Sequence, residues 1–135
     1  MATSPNTAIA GQRVTAAFLN TNIPGPWQAV TLLNGWSNLG SGAANAQVRQ
    51  RDSVTLELIG VITGGTTTNG TQLCLLPSGL WPISRQNLVG QVTNGTGVGD
   101  AFTLYCTVGD GKVWLYNIPS GATQLSFHVF LSLDA

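Results

Sequence analysis

The sequence has very little charge. Five basic and five acidic side chains stand singly along 135 residues, which is 7% of the chain where about 25% is typical of a soluble domain. The net charge at neutral pH is zero. Nucleic acids and anionic membrane surfaces are recognised by clusters of basic residues. The chain has no such cluster, so we expect neither a nucleic acid nor a membrane as partner.

Residues that carry chemistry are equally scarce. The chain has one histidine and two cysteines, fewer ligands than a zinc site readily needs. His128 lies in a strand-like segment with no Asp or Glu within five positions, and we interpret it as structural. The segment Gly95-Thr-Gly-Val-Gly99 lacks the lysine and the helix of a phosphate-binding loop. We therefore predict no catalytic residue, no metal and no cofactor. A pair of carboxylates meeting in space, as in glycoside hydrolases, is the enzymatic alternative.

Other absences limit the location of the protein. No run approaches 18 apolar residues, so no membrane-spanning segment is predicted. The first residues lack the basic and apolar regions of a signal peptide. Cys74 and Cys106 each lie in an apolar, strand-like segment, where we expect buried thiols. A disulfide between them is an open alternative.

The polar residues that are present are mainly Thr, Ser, Asn, Gln and Gly, and they alternate with Val, Leu, Ile and Phe. This pattern is typical of strands and tight turns. It predicts about seven or eight strands and no helix long enough to connect parallel strands. We expect an antiparallel β-sandwich of jelly-roll type, ahead of a simple barrel. The predicted strands cover residues 28–33, 51–62, 71–76, 88–92, 101–108, 112–118 and 124–133.

The first 24 residues differ from the rest. Val14, Ala17 and Phe18 have the spacing of a short helical turn, and Ile23-Pro-Gly-Pro26 would stop any helix. We therefore predict an N-terminal arm over residues 1–24, for attachment or subunit exchange, and a β-sandwich domain over residues 27–135. The candidate attachment residues of the arm are Arg13, Val14, Phe18, Leu19 and Ile23.

The remaining distinctive residues are aromatic. The tryptophans could cover the ends of the sandwich core, stack on sugar rings, or contact another subunit. The low charge favours self-association, and a symmetric oligomer would provide it. The candidate residues for a subunit or ligand contact are Trp27, Trp36, Trp81 and Arg85.

Several segments together resemble a domain of tailed-bacteriophage surface proteins. They are Trp27-Gln-x-Val-Thr-Leu-x-Asn-Gly-Trp36-Ser, Val48-Arg49-Gln50, Val54-x-Leu-x-Leu-x-Gly60 and Leu76-Pro-Ser-Gly-Leu-Trp-Pro82. The resemblance implies a virion surface protein, a homotrimer, assembly in the host cytoplasm, and the major capsid or tail protein as partner. The short arm favours a capsid decoration protein. The alternative is a tail-tip protein that recognises a host surface glycan.

Overall fold

A computed structural model describes residues 24–133 of the chain. Within these residues the protein is all-β and contains no helix, so no helix there could cross a membrane. Alternation of apolar and polar residues gives ten strands. They are β1 (Gln28–Ala29), β2 (Thr31–Leu32), β3 (Ser37–Asn38), β4 (Gln47–Asp52), β5 (Thr55–Thr63), β6 (Thr71–Leu75), β7 (Gln86–Gly95), β8 (Ala101–Cys106), β9 (Lys112–Tyr116) and β10 (Ala122–Ser132).

The strands form one antiparallel sheet that is nearly closed. Their order is β1-β4-β5-β10-β7-β8-β9-β6-β2, and β3 pairs with β5 outside this order. Only Val30 separates β1 from β2 in sequence, yet the two strands lie at opposite ends of the order. Residues 28–32 therefore pair with β4 through their first half and with β6 through their second half, which brings the two ends of the sheet together.

The sheet divides into two layers where β7 and β10 separate. These strands pair only between Ala122 and Ser126 of β10, although both continue well beyond. At the far end the Gln86 side chain replaces backbone pairing. Its Nε2 donates to the Ser132 carbonyl at 2.8 Å, and its Oε1 accepts from the Ser132 amide at 2.8 Å. We call β1, β3, β4, β5 and β10 the first layer, and β2, β6, β7, β8 and β9 the second layer.

The core lies between the inner faces of the two layers. On β5 every second side chain points inward, and Gly60 takes one of these positions. A Cβ at Gly60 would lie 2.8 Å from the Phe127 ring, so glycine lets that ring pack against the strand. Burial of each large aliphatic side chain stabilises the fold by about 1.5–3 kcal/mol. The largest fully buried residues are Val48, Leu56, Leu58, Ile62, Leu73, Val92, Phe102, Leu104, Val113, Leu115, Leu125 and Leu131.

The predicted fold class is confirmed, since the described chain is all-β and antiparallel. The jelly-roll topology stays a prediction, and the helical turn of the arm lies outside the described residues. The single predicted strand over residues 51–62 was wrong. Asp52 Oδ1 accepts a hydrogen bond from the Val54 amide at 2.9 Å, which makes a tight turn between β4 and β5 and leaves Val54 exposed.

The two cysteines are free and buried, as expected of structural thiols. Burial raises the pKa of Cys106 to about 12. Burial raises the pKa of Cys74 still further, with a smaller contribution from the neighbouring Cys106. Neither thiol is therefore placed to act as a nucleophile at neutral pH.

Candidate functional site

A row of four side chains crosses the outer face of the first layer. Gln28 pairs with Val48, so the preceding residue, Trp27, comes opposite Arg49. Arg49 pairs with Glu57 on β5, and Glu57 pairs with Phe130 on β10. An aromatic ring just before β1, a cation on β4, a carboxylate on β5 and a second ring on β10 therefore follow one another across the sheet. Directly opposed side chains on one face of a sheet are close enough to interact.

Glu57 is the centre of this row and is only 3% exposed, although it lies on the outer face. Its Oε1 accepts hydrogen bonds from Arg49 Nε at 2.7 Å and from Arg51 Nη1 at 3.2 Å. Its Oε2 lies 2.5 Å from His128 Nε2. A β-bulge between Gln50 and Asp52 leaves Arg51 as the extra residue of β4. We call Trp27, Arg49, Arg51, Glu57, His128 and Phe130 the Glu57 cluster.

The hydrogen bonds keep Glu57 ionised. Burial by itself would raise the pKa of Glu57, but hydrogen bonds from His128, Arg49 and Arg51 and the positive charge of Arg49 outweigh it and lower the pKa. An ionised carboxylate can only accept hydrogen bonds. His128 Nε2 must therefore carry a hydrogen and donate a hydrogen bond to Glu57 Oε2, which leaves Nδ1 of the ring for other contacts.

Each of the two arginines also contacts an aromatic ring. The Arg49 guanidinium carbon lies 4.4 Å from the centre of the Trp27 ring, and that of Arg51 lies 5.7 Å from the Phe130 ring. The Phe130 and His128 rings are 5.4 Å apart. Stacking on an aromatic face is a favourable cation–π contact. The Arg49 guanidinium is thus fixed in orientation, and Arg51 is held more loosely.

The chemistry of the Glu57 cluster is that of charge-assisted contacts. In a catalytic triad the carboxylate holds Nδ1 of the histidine and Nε2 acts as the general base, whereas here Nε2 of His128 is itself the atom bonded to Glu57. Among residues 24–133, no three His, Cys, Asp or Glu side chains are grouped to hold a metal ion. Two arginines and one carboxylate leave the cluster with a positive charge, which suits carboxylate or other acceptor groups.

An open groove of about 400 Å³ adjoins the Glu57 cluster where β7 and β10 separate. His128 belongs to both the groove and the cluster. The other residues that line the groove are Val89, Gly90, Gln91, Gly99, Ala101, Ser126 and Phe127.

The structure does not bring the predicted contact residues together. Trp27 belongs to the Glu57 cluster, whereas Trp36 is buried in the core, where its Nε1 donates to the Thr66 carbonyl at 3.2 Å. The Trp81 ring lies over Gly111 at one end of the domain, and its Nε1 donates to the Leu76 carbonyl at 2.9 Å.

Arg85 lies on the second layer, where its Nη1 donates to the Tyr105 hydroxyl at 3.1 Å. The arm candidates lie outside the described residues. They are Arg13, Val14, Phe18, Leu19 and Ile23.

Sequence reasoning missed the pairing of Glu57 with His128. The two residues are 71 positions apart, so a search for carboxylates near His128 in sequence could not find the contact. One signal was available. Glu57 is a lone carboxylate within an otherwise apolar strand, and such a residue is rarely buried unless it is paired.

Comparison with known proteins gives no assignment, since no known protein family and no curated protein sequence matches the chain.

Proposed function

We propose that the protein is a non-enzymatic structural protein that associates with copies of itself, and that the outer face of the first layer is the contact between subunits. The observation that carries this proposal is the Glu57 cluster. Arginine and tryptophan are the residues that most often dominate binding energy at protein interfaces. Here Arg49 is already oriented by Glu57 and by the Trp27 ring, so its part in binding would cost little side-chain entropy.

The location of this assembly on a virus particle is inferred from the sequence resemblance. It supports a homotrimer on the surface of a tailed-bacteriophage particle, assembled in the host cytoplasm. We propose a capsid decoration protein whose residues 1–24 attach it to the major capsid protein and whose residues 27–135 are displayed. Localisation by immunogold electron microscopy of the parent particles tests this setting. Label over the heads supports capsid decoration. Particles that carry no label anywhere would contradict the proposal that the protein is part of the virion.

Self-association is tested by sedimentation of the full chain. We expect a trimer that dissociates when Phe130→Asp places a charge in the contact. Val108→Asp is the matched control. The two side chains are similarly exposed, Val108 by 55% and Phe130 by 49%, but Val108 lies in the loop between β8 and β9 and not on the first layer. A wild-type monomer at 100 µM, or equal dissociation by both variants, would contradict the proposed contact.

A second function that we propose is recognition of a host surface glycan, as a tail-tip protein would require. The observation that favours it is the composition of the second layer. Strands β6 to β9 contain no Asp or Glu, and their outer face carries aromatic and amide side chains. Immunogold label confined to the tail end would support this function over capsid decoration.

A further inference from the structure

Three aromatic side chains lie together on the outer face of the second layer. Tyr105 on β8 pairs with Trp114 on β9, and Thr103 pairs with Tyr116. Because alternate residues of a strand share a face, Tyr105, Trp114 and Tyr116 are all on the side away from the core residues Leu104 and Leu115. Tyr116 is exposed, and Tyr105 and Trp114 are half-buried.

The two tyrosines form a corner. Their ring centres are 5.8 Å apart and their planes are inclined by 67°. The Arg85 guanidinium carbon lies 5.5 Å from the Tyr105 ring, and Arg85 also donates a hydrogen bond to the Tyr105 hydroxyl. Tyr105 is therefore held in place, while the more exposed Tyr116 ring offers apolar surface beside it.

Amide side chains surround this corner. Asn87 on β7 pairs with Tyr105, and Gln72 on β6 pairs with Trp114. The Asn117 amide donates to Thr103 Oγ1 at 3.2 Å. The Trp114 indole N–H is buried and has no hydrogen-bond partner among the described residues. We call Arg85, Asn87, Tyr105, Trp114, Tyr116 and Asn117 the Tyr116 patch.

We propose that the Tyr116 patch binds a neutral saccharide. An amide both donates and accepts hydrogen bonds, which matches hydroxyl groups that do the same. An exposed aromatic ring with a polar edge packs on the apolar face of a sugar ring. The patch has no carboxylate, and its single cation, Arg85, is engaged by the hydroxyl and the ring of Tyr105, so most of the groups that it offers to a ligand are neutral. This inference rests on the glycan recognition proposed above and supplies its site and ligand class.

The inclined rings also limit the shape of the ligand. A flat polysaccharide surface needs several coplanar rings, whereas Tyr105 and Tyr116 are strongly inclined. In this proposal one sugar unit packs against Tyr116, and its hydroxyl groups bond to Tyr105 and the surrounding amides. We therefore expect a soluble chain or a terminal sugar as the ligand, not a crystalline polysaccharide.

The test uses the full-length chain and saturation-transfer-difference NMR. The probes are tetrasaccharides of glucose, mannose, galactose and N-acetylglucosamine, with tetragalacturonate as the acidic comparison. We expect saturable binding of at least one neutral probe and weaker binding of the acidic one. Tyr116→Ala should weaken the binding about five- to tenfold. Val54→Ala, in the exposed turn between β4 and β5 of the other layer, should leave it unchanged.

Three outcomes would contradict saccharide binding by the Tyr116 patch. Absence of binding to all four neutral probes, preference for the acidic probe, or equal affinity of wild type and Tyr116→Ala would overturn it. If Tyr116→Ala loses its fold by circular dichroism, Arg85→Gln provides the same test, because Arg85 is exposed and its loss should weaken binding at least twofold. The outcome is independent of self-association, which Phe130→Asp tests on the first layer.

Discussion

Replacement of Glu57 by glutamine tests whether the Glu57 cluster stabilises the fold. Glutamine has nearly the same shape, so the change removes the charge and leaves one acceptor oxygen. That oxygen can still accept from Arg49 and Arg51. The new NH₂ group would face His128 Nε2, which accepts a hydrogen bond when the ring carries its proton on Nδ1. The main loss is therefore the attraction between the carboxylate and the two arginines.

The size of this loss follows from the exposure of the partners. A hydrogen bond to a charged group contributes about 1.5–3 kcal/mol. The Arg49 side chain is 22% exposed and bonds at 2.7 Å, so it should contribute nearly in full. The Arg51 side chain is 46% exposed and bonds at 3.2 Å, so water replaces most of its contribution. We expect Glu57→Gln to lower the free energy of unfolding by about 2 kcal/mol at pH 7.

The loss should depend on pH with a defined sign. The pKa of Glu57 is lowered in the folded protein, below the value of about 4.3 for a glutamate in an unfolded chain. Its charge therefore stabilises the fold fully above the unfolded value, and this stabilisation disappears as the pH falls through the folded pKa. The difference between wild type and Glu57→Gln should therefore shrink as the pH falls from about 5 towards 3.

Urea unfolding followed by tryptophan fluorescence measures both effects. At pH 7 we expect the midpoint of Glu57→Gln to fall by about 1 M urea. Asp100→Asn, which removes an equal charge from an exposed position, should change it little. Buried ion pairs can contribute nothing net because their desolvation is costly. A difference below about 0.5 kcal/mol at pH 7, or one that persists undiminished at pH 3, would refute the reasoning.

Two further predictions concern the core. A Cβ at Gly65 would lie 2.2 Å from the Trp36 ring, so Gly65→Ala should destabilise the protein by about 2 kcal/mol or more. Gly25→Ala is the control, because its new Cβ would have its nearest contact 3.4 Å away, and its free energy of unfolding should stay within about 0.5 kcal/mol of wild type. Similar thermal unfolding of the two variants would contradict the packing of Trp36 against Gly65. Because burial raises the pKa of Cys74 and Cys106, neither should react with a disulfide reagent at pH 8 until urea unfolds the chain. Rapid labelling of the folded protein would show that the thiols are accessible.

The fold class could be predicted because it depends on local patterns. Alternation of apolar and polar residues identified most strands, and Asn34-Gly35 and Gly109–Gly111 marked turns at the right places. The turn between β4 and β5 was missed because Asp52-Ser53-Val54 contains neither glycine nor proline. It depends on a hydrogen bond from the Asp52 side chain. The near closure of the sheet was also beyond sequence reasoning, because residues 28–32 pair with two different strands.

The candidate site was harder to predict because it depends on register. Arg49, Glu57 and Phe130 lie on three strands, and only the pairings of β5 with β4 and β10 place them side by side. A slip of one residue would send each of these side chains to the opposite face. Composition identified tryptophan and arginine as the residues to consider. It could not distinguish Trp27, which stacks on Arg49, from Trp36, which is buried in the core.

The distribution of charge connects the two proposals. Three of the ten charged side chains meet at Glu57, and the only histidine joins them. The strands β6 to β9 of the second layer contain no carboxylate and a single lysine. The two outer faces therefore differ in the ligands that they suit, and they point away from each other. Subunits could cover the Glu57 cluster while the Tyr116 patch stayed accessible, so that one domain could be held in an assembly and still bind a saccharide. Loss of saccharide binding in Phe130→Asp would contradict this independence of the two faces.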